Sequence, residues 1–289
     1  VAFQRNRATQ PRLQALGLPM TLLCVILGAA LLAPWASDWG LQDIDWEAIQ
    51  APPSSSHWFG TDMVGRDLFT RTMAGARTSI LVALIATSIS LLIGILWGAT
   101  AGYAGGRIDL LMMRVVDLLY GLPFILIVIL LVVLFGRQPY LLFASLGAIF
   151  WLDTARIVRG QALRLRQADF VQAARCQGYR HTYIIVHHLL PNMRGPLLVC
   201  TTLTLPAIML AESFISFLGL GIAEPSTSWG TLIADGTQSM EAAPWMLFFP
   251  GTLLIGCIWC CNTVGDRLQN QVSEGSHSLG KSHLRTPTR

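Results

Sequence analysis

Apolar residues in this chain come in long blocks without charge, divided by shorter polar stretches. A helix needs about 20 predominantly apolar residues to cross a bilayer. Residues 13–37 form the first block of that length. Further blocks lie at about 78–103, 115–136, 138–159, 193–212 and 244–265. The pattern predicts an all-α integral membrane protein with six transmembrane helices. A cleaved signal peptide would have a shorter apolar core and a small-residue cleavage site, and the first block is expected to stay as an anchor. Pro123 lies near the start of the apolar run in the third block and can kink it where neighbours satisfy the freed carbonyl. The fourth block reaches full length only by including Asp153 and running to about Arg159.

The polar stretches are a tail at 1–12, a loop at 38–77, a loop at 160–192, a loop at 213–243 and a tail at 266–289. Pro52-Pro53-Ser54-Ser55-Ser56 marks a turn. Residues 59–78 read as a loop followed by a short amphipathic helix. The final tail has no sustained helical period and is expected to fray.

Charge orients the blocks. Charged residues make up 12% of the chain and hydrophobic ones 53%, with a mean hydropathy of +0.54. Soluble domains carry roughly 25% charged residues, so lipid is this protein's main solvent. With a cytoplasmic N-terminus and six crossings, only Arg66, Arg71, Arg77 and Arg137 of the 20 basic residues fall outside. Cytoplasmic loops are enriched in Lys and Arg, so both termini are expected in the cytoplasm. Losing the fourth crossing would turn the arginine-rich loop outward, against that rule. The net charge of +4 therefore reads as topology and gives no sign of nucleic-acid binding. Cys257 and Cys260 have CxxC spacing but no His or second pair, so they read as packing residues, with no metal or cofactor implied.

The loop at 160–192 carries the densest local signal, ADFVQAARCQGYRHTYIIVHHLLP at 168–191. Asp169 can cap a short helix by accepting backbone N–H bonds. Phe170, Ala173, Ala174 and Gln177 follow at the spacing of one helical face. Gly178 can end that helix by adopting a left-handed conformation. A second helical run extends over 179–190 and Pro191 interrupts it. Two small residues beside an aromatic suggest a knob for another protein's groove, and a solvated loop is the plain alternative. His187 and His188 are adjacent and cannot share a helix face, which argues against a metal site.

The order Gln172-Ala173-Ala174, Gly178, Ile185, Leu190-Pro191 resembles the Glu-Ala-Ala loop of ABC-importer permeases, with Gln172 in place of the glutamate. FGTDMVGRDLFTRTMAGART at 59–78 is similar to a stretch preceding the second helix of oligopeptide and dipeptide permeases. WLDTARIVRGQ at 151–161, ESFISFLGLGIAEPSTSWG at 212–230, DGTQSMEAAPW at 235–245 and Gly265-Asp266 extend the likeness to the C-type permease subunit of oligopeptide importers. The family's ending is degraded here to GDRLQNQVSE. The resemblance implies a type I ABC-importer permease fold. It also implies a coupling helix that docks on an ATPase, assigned to Asp169, Phe170, Gln172, Ala173, Ala174, Gly178, Leu190 and Pro191. The implied partners are a homologous second permease, two cytoplasmic ATPases and an extracytoplasmic peptide-binding protein.

The only GxxxxGK[ST] match, GSHSLGKS at 275–282, lies in the polar tail with no apolar strand-like run before it, so it lacks the context of a phosphate-binding loop and any ATP hydrolysis is expected from another subunit. Glu212, at the outer end of the fifth block, is read either as a pathway residue that meets a peptide's amino terminus or as an interfacial acid. Arg114 with Asp117, and Asp153 with Arg156, stand three apart and are expected to pair locally. An ion-coupled secondary transporter would need midplane ionisable groups or matching broken helices, and no clear internal repeat is present. A membrane-embedded enzyme would need a constellation such as HExxH or GxSxG, and neither occurs.

Overall fold

The computed structural model describes residues 10–136 and 139–282, with side chains at 17–134, 136 and 144–270. Most of the expected N-terminal tail, Arg137 and Gln138 at the head of the fourth expected span, and residues 283–289 lie outside the described residues. The described chain is helical, with two isolated β-bridges, Ile44 to Arg66 and Thr61 to Asp67, in place of strands. The long helices are α1 (Gln10–Ala36), α2 (Leu68–Ala104), α3 (Gly106–Tyr120), α4 (Phe124–Phe135) and α5 (Pro139–Leu165). A cluster of short elements follows: α6 (Asp169–Cys176), α7 (His181–Tyr183), a π-helix (Ile184–Leu189) and α8 (Leu190–Asn192). The chain then forms α9 (Arg194–Phe217), α10 (Trp229–Gln238) and α11 (Trp245–Ser282).

Among the described residues, four helical stretches are long and apolar enough to cross a membrane: Gly17–Ala36, Leu68–Ala104, Arg194–Phe217 and Trp245–Asn270. A fifth arises if α3 and Phe124–Leu134, bent by 77° at Gly121-Leu122-Pro123, count as one span. The expected count of six is therefore met only in part by length and composition. Helix α5 has 27 residues, but Asp153, Arg156, Arg159 and Arg164 make its second half polar.

Several local expectations change. The amphipathic helix expected before the second span is the start of α2, which runs unbroken for 37 residues. No proline interrupts it, and at 1.5 Å per residue it is roughly 55 Å long, longer than a bilayer core. The block at 115–136 is split, because Pro123 lacks an N–H and sits extended at φ −62°, ψ 120° before α4. The tail expected to fray continues α11 to Ser282. Adding residues to an existing helix needs no new nucleus, and no proline follows until Pro287. The loop at 213–243 contains α10, whose start is a reciprocal cap. The Thr231 N–H donates to Ser228 Oγ at 3.4 Å, and the Ser228 N–H donates to Thr231 Oγ1 at 2.9 Å. Such caps satisfy two of a helix's orphan donors.

The chain divides into two compact units, 81–215 with 268 onward, and residues up to 80 with 216–267. In the latter, Asp62 is the hub of the loop at 38–77. Its Oδ1 accepts the N–H groups of Val64 at 2.8 Å and Arg66 at 2.9 Å. Its Oδ2 accepts Arg66 Nε at 2.8 Å and an Arg71 guanidinium N–H. Arg66 also donates to Glu224 at 2.9 Å, which ties residues 60–71 to the loop after α9. Asp67 receives the Thr70 N–H at 2.8 Å and contacts buried His57 at 3.0 Å. The GTD–GRD segment is thus a fold-organising knot.

Asp62 sets an acid limit on that knot. Burial alone would push its carboxyl up; the backbone N–H bonds and the Arg71 and Arg66 charges outweigh burial and hold it below the usual carboxylate range. Its stabilisation is full above about pH 4, the ordinary carboxylate value. It is lost as pH falls through the lowered folded value. Asp62→Ala leaves buried Arg71 with only the longer contact to Glu224 at 3.5 Å and is expected to cost about 3 kcal/mol. Thermal melting in mild detergent at neutral pH checks the loss. Asp62→Asn should also flatten the acid limb of stability.

In the other unit, Gly94, Gly98 and Gly102 form one stripe on α2 against Thr154, Ala155, Val158 and Ala162 of α5. Small residues four apart let membrane helices approach closely. Arg159 of α5 donates twice to Asp109 of α3, once at 2.7 Å. The expected pairs Arg114–Asp117 and Asp153–Arg156 are replaced by one cross-helix pair, Arg156 to Asp117 at 2.9 Å. The Arg156 guanidinium also lies 4.1 Å from the Tyr120 ring centre. An i,i+3 pair on a helix surface is worth only ~0.2–0.5 kcal/mol, too little to hold Arg156 back from that partnership.

Candidate functional site

The segment 168–193 is seated on α2 and α5. Ala168, extended at φ −70°, ψ 146°, is the N-cap of α6. Its carbonyl accepts the N–H groups of Val171 and Gln172 at 3.0 and 3.1 Å. Asp169 is therefore the first helical residue and makes no cap hydrogen bond, contrary to the capping role read from the sequence. Its carboxylate still sits favourably at the positive end of the helix.

Val171 and Ala174 point inward. They join a buried cluster with Ala99 and Tyr103 of α2, Val158 and Ala162 of α5, and Ile184, Leu189 and Met193. Phe170, Gln172, Ala173 and Gln177 are exposed. The single face expected for Phe170, Ala173, Ala174 and Gln177 is thus divided, with Ala174 turned in beside Val171. Leu190 packs against the same cluster, and Pro191 is half-buried. Asp169, Phe170, Gln172 and Ala173 are gathered outside; Ala174 and Leu190 belong to the seat beneath.

Gln172 Nε2 donates to the Arg166 carbonyl at 3.0 Å. A glutamate here could only accept and would meet that oxygen unfavourably. The amide thus fastens α6 to the end of the preceding loop in a way that glutamate cannot.

Gly178 closes α6 at φ +78°. Its N–H donates to the Arg175 carbonyl at 3.0 Å, and the Tyr179 N–H donates to Ala174 at 3.3 Å. This is the paired closure that a left-handed residue after a helix makes. No atom lies within 4 Å of where a Cβ would stand, so the demand is purely conformational. Gly178→Val should cost about 1–2 kcal/mol locally. Gly178→Asn should cost less, since Asn visits this conformation. Amide exchange over 174–183 in the detergent-solubilised protein checks the order.

After Gly178 the run expected to stop at Pro191 passes through it. The Leu190 N–H donates to Ile185, five residues back, and this wider π-turn gives the proline ring room before the chain breaks at Met193. Tyr103 ties the assembly to α2. Its hydroxyl accepts from Arg175 Nε at 3.3 Å and meets His181 Nδ1 at 3.0 Å. Tyr179 stacks on Tyr183 at 5.0 Å and Tyr183 on His187 at 4.2 Å. Their i, i+4, i+8 spacing was the available signal for this ladder.

Glu212 lies elsewhere, in α9, fully buried, with Ser213 Oγ donating to it at 3.4 Å.

Comparison with known proteins gives a consistent result. The family described as binding-protein-dependent transport system inner membrane component matches residues 90–275. The oligopeptide transport system permease protein OppC of Haemophilus influenzae is 44% identical over 93% of this chain and 85% of its own. OppC of Escherichia coli K12 is 41% identical over 93% and 87%. The dipeptide transport system permease protein DppC of Bacillus subtilis is 42% identical over 92% and 82%. Among solved structures, a chain of the MetNI methionine ABC transporter in inward-facing conformations aligns with a TM-score of 0.56. It is 16% identical and covers 68% of this chain and 94% of its own. That likeness shows the fold, the type I ABC-importer permease fold.

Proposed function

Because the chain belongs to the family of binding-protein-dependent transport system inner membrane components, we propose that it is the permease subunit through which an ATP-driven importer moves oligopeptides across the bacterial inner membrane. Relatives named for oligopeptide and dipeptide transport, similar over nine-tenths of the chain, support peptides as cargo. Dipeptides, metal complexes and antimicrobial peptides are alternative cargoes for the same machinery.

One structural observation carries the mechanism. Helix α6 has its inner face locked to α2 and α5 and its outer face, Phe170 with Ala173, free. A push on that face moves the seat as a rigid body. The proposed coupling surface is Asp169, Phe170, Gln172 and Ala173, shaped by Ala174, Gly178, Leu190 and Pro191. Two cytoplasmic ATPases drive it, one on this chain and one on a homologous second permease, while an extracytoplasmic binding protein delivers peptide. ATPase closure rocks the helices between inward and outward access. The arginine-rich loop at 160–192 is placed in the cytoplasm by charge, with both termini on that side. Cargo must leave as readily as it enters, so contacts along the path are weak and many.

The test is purification in mild detergent followed by uptake in proteoliposomes. The chain should carry an ATPase with it, and labelled peptides should accumulate only with ATP. Uptake driven by a proton gradient without ATP would overturn the proposal in favour of a secondary transporter.

A further inference from the structure

Between α5 and α9 lies a cavity of about 500 Å³. Phe150, Ile157, Val199 and Leu203 give it apolar walls, and Asp153 and Thr154 line it from α5. The two arginines nearest Asp153 on its helix are engaged away from it: Arg156 with Asp117 and Tyr120, and Arg159 with Asp109. Among the described residues no cation pairs with Asp153. Thr154 is 1% exposed and its Oγ1 has no hydrogen-bond partner. Its Cβ and methyl fill the space over Gly94, so the close helix contact fixes its rotamer at the cavity wall.

Asp153 is exposed at this cavity, and an ionisable side chain of a membrane protein that faces a cavity is a candidate for its pathway. A buried hydroxyl without a partner is uncommon and calls for one. We infer that this cavity is a station on the peptide path and that Asp153 binds the peptide's amino-terminal ammonium there. The inference rests on the peptide-cargo reading above. The chemistry fits a peptide in two respects. A carboxylate meets the charge every unblocked peptide carries. The apolar walls accept varied side chains without selecting strongly. Glu212, read from the sequence either as a pathway residue or as an interfacial acid, does not line this cavity.

The experiment uses the complete complex in proteoliposomes. The probes are two pentapeptides carrying a photoreactive group on the first side chain, one with a free amino terminus and one acetylated. After illumination with ATP present, mass spectrometry maps the label. The expected label falls on α5 and α9 around Asp153 and favours the free-amino peptide. Asp153→Asn should lower that label about tenfold, the order expected for losing a charge-assisted hydrogen bond, and abolish the preference. Asp153→Glu should restore it. Ala207→Trp, which fills the cavity from α9, should remove label from both peptides while the ATPase still co-purifies. Label on other helices, or a preference unchanged in Asp153→Asn, overturns the inference and leaves the cargo reading standing. Absence of any ATP-dependent peptide uptake by the unaltered complex overturns both.

Discussion

Ala173→Trp is expected to reduce peptide uptake to background while the protein remains in the membrane at its normal level. Ala173 sits on the outward side of α6 between Phe170 and Gln177, and its Cβ faces no part of its own seat. An indole there disturbs nothing in the folded chain. On the proposed docking it obstructs the ATPase surface that receives Ala173, and overpacking a well-fitted contact costs ~1–3 kcal/mol or more. Each 1.4 kcal/mol is tenfold in affinity, so ATPase co-purification should fall about fivefold to a hundredfold. The neighbouring Ala174→Trp is the informative contrast. Ala174 is 2% exposed among Tyr103, Val158, Ala162 and Val171, and a tryptophan there breaks the seat itself. That variant should lose folded protein as well as uptake. Melting temperature separates the two. If Ala173→Trp keeps normal uptake and normal ATPase association, α6 is not the coupling surface.

The contrast between two adjacent alanines also shows what the sequence could and could not reveal. The repeated small-small pattern, the aromatic before it and the glycine after it were legible as a short helix with a stop. The direction in which each alanine faces was not, because it depends on where Val171 finds its partners on α2 and α5. Gln172 was legible as a departure from the family pattern. Its bond to the Arg166 carbonyl was not, since that needs the turn at 166–168.

The same division runs through the rest of the fold. Uncharged blocks located the apolar helices, because lipid imposes that requirement locally, residue by residue. Pro123 announced a disturbance in the third block, though a 77° break depends on the packing of α3 and α4 against α5. The ion pairs were misread for the same reason. Arg114–Asp117 and Asp153–Arg156 are near in sequence, but Arg156 reaches across to Asp117 because α3 crosses α5 there. That cross-helix choice leaves Asp153 without a cationic partner among the described residues. The stripe Gly94, Gly98, Gly102 was present in the sequence at four-residue spacing. That it packs on α5 follows only from the structure.

Gly98→Leu is the substitution expected to cost the most folded protein. A Cβ at this position would collide with the Ala155 carbonyl oxygen and lie 2.9 Å from Val158 Cβ and 3.0 Å from the Arg159 nitrogen. Two of those atoms are backbone, so no rotamer change in α5 relieves the contact. The helices must part, and the separation reaches Gly94 against Thr154 and Gly102 against Ala162. Overpacking alone costs ~1–3 kcal/mol, and lost van der Waals packing adds to it, since that packing holds membrane helices together. The effect spreads to function, because Val158 and Ala162 form part of the seat under α6 and Thr154 forms part of the cavity wall. The yield of membrane-inserted protein and its melting temperature in mild detergent should both fall sharply. Gly160→Ala, on the exposed side of α5 with no atom within 4 Å of its added Cβ, should leave both unchanged or gain up to ~1 kcal/mol from helix propensity. A Gly98→Leu protein that melts with the unaltered chain would mean that α2 and α5 are not held by this stripe. The platform that transmits motion from α6 to the cavity would then have to be sought elsewhere.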